Sequence, residues 1–166
     1  MALRKILKNT VLILSLILIS AFYQIFIQYW QVLASAITYI KMHSYLFGLI
    51  FTISLLVQSL AGKIIQNITK TKTISFVVFI LVSSLTLNIF ALSKNSILLF
   101  ILSIAFIFFS LRVLMIYFSA NAHKNITRHI RAWFDGYINT STTGLSAIFL
   151  FVLSFNKIYL LYPLQE

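Results

Sequence analysis

The chain has 166 residues, 61% of them hydrophobic and 9% charged, with a mean hydropathy of +1.01, and this excludes an ordinary water-soluble domain. At roughly 20 apolar residues per crossing the length admits about five or six transmembrane helices and no extramembrane domain beside them. Thirteen Lys and Arg against two acids give a net charge of +11. The basic residues lie in short connections between apolar runs, where they attract anionic head groups and set topology, so no nucleic acid partner is expected.

Arg4, Lys5 and Lys8 precede the first predicted span, 11–29, which is interrupted only by Ser15, Ser20, Gln24 and Gln28. A cleaved signal peptide is the competing reading, with Ala34-Ser35-Ala36 as its cleavage triplet, but the run is longer than the usual apolar region of such peptides. Lys41 and His43 form a polar break before a second span at 45–65, which ends in Gly62-Lys63. A connection carrying Lys70 and Lys72 leads to a third span at 73–92. Ser93-Lys94-Asn95-Ser96 is a tight polar turn, and 97–118 is the fourth span. A longer basic connection with His123, Lys124, Arg128, His129 and Arg131 introduces the fifth span, 132–155. Its first half holds Asp135, Asn139, Thr140, Ser141, Thr142 and Thr143, a polarity that needs protein or water around it. The tail from Asn156 is too short for another crossing and suits the membrane interface. The fold class expected is therefore an all-α integral membrane protein of about five transmembrane helices in a single domain.

Orientation follows from charge. With the N-terminus in the cytoplasm, that side receives Arg4, Lys5, Lys8, Lys63, Lys70, Lys72, Lys124, Arg128 and Arg131, against Lys41, Lys94 and Lys157 outside. The positive-inside rule then predicts a multi-pass protein of the cell membrane with its C-terminus outside.

The residues offer little for chemistry. There is no cysteine, and His43, His123 and His129 never pair at the spacing that sets two ligands on one helix face. No metal site and no cofactor are expected. The two carboxylates, Asp135 and Glu166, fall on opposite membrane faces, which removes paired acid/base catalysis. No Gly-rich phosphate loop or nucleophile elbow is present, and the chain does not read as an enzyme. Asn67-Ile68-Thr69 and Asn125-Ile126-Thr127 match the glycosylation sequon, but both face the cytoplasm in this topology and are read as coincidence.

Polar residues inside the spans are the better lead, because each needs a partner or a wet cavity. Gln24 and Gln28 share one helix face and either contact a substrate or bond a neighbouring helix. Asn139 is a third candidate for a cavity wall. Arg112 lies about 9 Å inside the end of its span at 1.5 Å per residue. It either snorkels to the surface or pairs with Asp135, which would neutralise two charges that are expensive to bury singly. Asp135 also fits a plainer role, as an acid in the first turn of its helix four residues after Arg131. Tyr29-Trp30 at the outer boundary suits an aromatic belt.

In its order of features the sequence resembles the C-terminal half of a major facilitator superfamily transporter, most like the bacterial drug exporters. The five spans fall on helices seven to eleven of that family. Ser59-Leu60-Ala61-Gly62-Lys63 with Lys70 and Lys72 is similar to its cytoplasmic loop after the eighth helix, although the aspartate and second glycine of the fuller motif are missing. Arg131-Ala132 resembles the pair that introduces the eleventh helix. The resemblance implies ion-coupled alternating access for small, amphipathic solutes, with the substrate held between two halves. Such transporters have two six-helix halves, so the resemblance makes this chain a fragment, either truncated or needing a complementary half as partner. The alternative is a small non-catalytic membrane subunit or scaffold of a larger complex.

Overall fold

In the computed structural model, residues 2–66, 71–124, 126 and 128–161 are described, with side chains described for 10–63, 74–124, 126 and 130–154. The chain is an all-α integral membrane protein. Among the described residues six helices follow one another: α1 (Ala2–Ser35), α2 (Thr38–Met42), α3 (Tyr45–Gln66), α4 (Thr71–Ser93), α5 (Ile97–His123) and α6 (Arg128–Leu161). All but α2 are long and apolar enough to cross a membrane. A helix satisfies its own backbone hydrogen bonds, which is what an apolar run must do once lipid replaces water around it.

The bundle is built around α5, with α1, α3 and α4 packed against it and α6 lying mainly along α1. The largest core cluster joins Phe26, Trp30 and Ala34 of α1, Ile40 of α2, Leu46 and Ile50 of α3, Ala91 of α4 and Phe100, Ile104, Ile107, Phe108 and Leu111 of α5. Phe108 meets the rings of Phe26 and Tyr23 edge-on, with centroids 5.2 and 6.1 Å apart. A second cluster sets Leu16 of α1 and Ala122 of α5 against Phe134 and Ile138 of α6. A third places Ala61 of α3 and Val77 of α4 against Val113 and Leu114 of α5. Side-chain bonds add specificity between helices: Asn88 of α4 donates to Ser103 Oγ of α5 at 2.8 Å, and Tyr23 of α1 donates to Gln58 of α3.

One end of the bundle is tied shut. At the C-terminus of α4, Asn95 adopts a left-handed backbone with φ of 49°. Its N–H bonds to the Leu92 carbonyl at 3.2 Å, and that of Ser96 to Ala91 at 3.0 Å. This is the Schellman arrangement, in which asparagine substitutes for the usual glycine. The Asn95 side chain accepts from the Thr38 backbone N–H at 3.0 Å and donates to Thr38 Oγ1 at 3.3 Å. The α4–α5 turn is thereby fastened to the start of α2.

Several elements differ from the sequence expectation. The helix of the first span continues to Ser35, and Ala34 is fully buried, so the Ala34-Ser35 segment is packed helix. Trp30 is 1% exposed and stacks on Phe51, so it belongs to the core and not to an aromatic belt. The polar break at Lys41 holds a short helix, α2. The helix carrying the fifth span starts at Arg128 and runs to Leu161, while its apolar membrane-length segment, Ile130–Ser154, agrees with the expected 132–155. Asp135 is consequently about two turns inside α6, beyond the first turn where the helix dipole favours an acid.

Candidate functional site

A cleft of about 590 Å³ opens between α1, α5 and α6, within the size range of small-molecule sites. Its walls follow from helical spacing. α5 contributes Arg112, Met115, Ile116, Ser119 and Ala120 from one face, α6 contributes Asp135, Ile138 and Asn139, and α1 contributes Leu16 and Ser20. Residues three and four apart share a helix face, so three such rows converge on one space. The short side chains of Ser20, Ser119 and Ala120 leave that space unfilled. The cleft lies toward the helix ends that carry the basic connections, opposite the end fastened by Asn95.

Two charges line it, and they are not joined. Asp135 Oδ1 accepts from His123 Nε2 at 3.2 Å, the side-chain contact with a basic residue that Asp135 makes among the described residues. The expected pairing of Arg112 with Asp135 is therefore not formed as a direct bridge. The ring of His123 rests edge-on against Phe134, with centroids 5.7 Å apart, and its buried Nδ1 has no hydrogen-bond partner. A proton on Nε2 leaves that Nδ1 as a lone pair, which is less costly to bury unpaired than an N–H. His123 closes the end of α5 onto α6. Arg112 is exposed into the cleft.

The other candidates separate. Asn139 lines the cleft. Gln24 accepts a hydrogen bond from Ser146 Oγ of α6 at 2.9 Å, so it joins two helices, and Gln28 is exposed outside the cleft. Gly62 closes no tight contact, since a Cβ built there meets nothing within 4 Å, and Lys63 is exposed. Lys70 lies outside the described residues, as do the side chain of Lys72, residues 67–69 of the first sequon and Asn125 and Thr127 of the second. Arg131 and Ala132 are both exposed near the start of α6.

Ser20 and Ser119 of the cleft, and His123, which holds the cleft residue Asp135, are residues that sequence reasoning did not single out. Ser119 had a usable signal, being seven residues after Arg112 and thus on its face. His123 had none, because its partner lies across a loop. Among the described residues no group of three or more His, Cys, Asp or Glu could hold a metal ion. A second, smaller groove between α4 and α5 is lined by Phe76, Phe79, Ile80 and Phe106 and faces outward with almost no polar surface. Comparison with protein-family models, with curated proteins and with solved structures gives no match.

Proposed function

We propose that this chain is one half of a membrane transporter of the major facilitator type, with the α1–α5–α6 cleft forming its share of the substrate path. The observation that supports the reading best is the combination of that cleft with an unpartnered polar face on α6. Beside the cleft residues, Gly136, Thr140, Thr143 and Gly144 are all exposed, in a helix that is long and apolar enough to cross the bilayer. Hydroxyls facing lipid are unfavourable, whereas small residues at this spacing let another helix approach closely. A complementary half laid against α6 would cover those groups and enclose the cleft between two bodies, the geometry alternating access requires. Ion coupling, export and the cytoplasmic placement of the basic end come from the resemblance and the charge bias, and belong to the proposal with it.

The exposed α6 face equally suits a non-catalytic subunit seated in a larger complex, and the two readings part on composition. Purification of the tagged chain in mild detergent, followed by reconstitution of whatever co-purifies, is expected to give a second multi-span body and gradient-dependent movement of a fluorescent amphiphile. Recovery of an unrelated ATPase in fixed ratio, with no such movement, would refute the transporter-half reading.

A further inference from the structure

We propose that the cleft binds an amphipathic oxyanion, its carboxylate or phosphate held by Arg112 and its apolar tail laid along Leu16, Met115, Ile116 and Ile138. The inference rests on the reading of the cleft as a substrate site and names the class of molecule it takes. Arg112 is about 16 Å from the C-terminal end of α5 at 1.5 Å per residue, and so within the depth of the hydrocarbon. Charges at that depth are rare, face a bundle interior or a water-filled cavity, and mark substrate or ion pathways. The chain has little to offer as that partner. It contains two acids; Asp135 is engaged by His123, and Glu166 lies outside the described residues. Among the described residues Arg112 has no ion pair within 4 Å.

The rest of the lining agrees with an anion on a tail. A guanidinium presents a planar fork matched to two oxygens of a carboxylate or phosphate. Ser20, Ser119 and Asn139 add uncharged donors that serve the remaining lone pairs. Apolar surface predominates elsewhere in the cleft, which an inorganic anion would leave uncovered. A cation would face Arg112 directly, and a neutral amphiphile would leave it unpaired.

The test is binding of radiolabelled decanoate to the full chain in phosphatidylcholine nanodiscs. Saturable binding is expected, weakened about tenfold or more by Arg112→Gln and partly kept by Arg112→Lys, which retains the charge. Met115→Trp fills the tail channel without changing charge and is expected to weaken binding to a similar degree. Asp135→Asn is expected to leave binding unchanged or tighter, and decylamine is expected not to displace decanoate. Phosphatidylglycerol added to the disc separates two sources of the same chemistry: displacement of decanoate identifies a lipid head group, and its absence a free amphiphile. Equal binding to the Arg112→Gln chain, or displacement by decylamine, would overturn the proposal. A loss with Asp135→Asn matching that with Arg112→Gln would also overturn it, since a zwitterion needs both charges. Arg112-dependent binding in an assembly that moves nothing defeats only the transporter reading. Transport indifferent to Arg112→Gln defeats only this one.

Discussion

α5 and α6 cross the same bilayer in opposite circumstances. Half of the α5 span is buried against other helices, but only 17% of the α6 span is, although α6 is the one rich in hydroxyls and amides. In water this ranking would be the ordinary one, because burial there follows apolarity. In lipid the tails are as apolar as leucine, so packing and complementarity decide which helix sits at the centre. The polar helix left at the edge is then the informative one. Its exposed face and the cleft beside it are the polar surfaces that the chain's own described helices leave uncovered.

The contrast can be broken at its strongest point first. Phe108→Ala on α5 removes a buried ring packed on Phe26 and Tyr23 and is expected to cost about 3–5 kcal/mol, whereas Phe149→Ala on the exposed side of α6 is expected to cost under about 0.5 kcal/mol. Unfolding of both variants in detergent checks the pair, and equal losses would contradict the assignment of centre and edge. Asn95→Ala loses the left-handed backbone preference and both bonds to Thr38, for an expected cost of about 1–3 kcal/mol. Asn95→Gly should recover the backbone part alone, as thermal unfolding of the three chains would show. Asn88→Ala, which breaks the buried bond to Ser103, is expected to cost about 0.6–1.7 kcal/mol. Ser146→Ala at the α1–α6 seam is expected to cost about 0.6 kcal/mol or less, because its Gln24 partner can turn elsewhere.

The helices themselves were plain in the sequence, since an apolar run long enough to span lipid has one way to satisfy its backbone. Span ends were less legible. Arg128 to Arg131 read as a connection because basic residues mark boundaries, yet they form the first turn of α6. That one-turn error moved Asp135 from a helix start to the wall of a cleft. Trp30 was misplaced for a related reason: a tryptophan near a boundary suits the interface, and only the approach of Phe47 and Phe51 from α3 makes it core. Asn139 and Arg112 stand out in the sequence because polarity at depth is conspicuous, and both line the cleft. The partner of Asp135 does not stand out, because Arg112 and His123 are both basic and one sequence cannot say which of them α6 meets.

The absence of cysteine from the chain makes the central claim directly measurable. Single cysteines at Ser20, Ser119 and Asn139 in the cleft, and at the outward-facing Phe106 and Ile148, would be exposed to a membrane-impermeant maleimide from each side of sealed vesicles. A water-filled cleft opening at the basic end predicts labelling of the first three from the side that holds Lys63 and Lys124, with Phe106→Cys and Ile148→Cys inert from both sides. Cleft positions as unreactive as those two, or reactive only from the side of Lys94, would contradict the account.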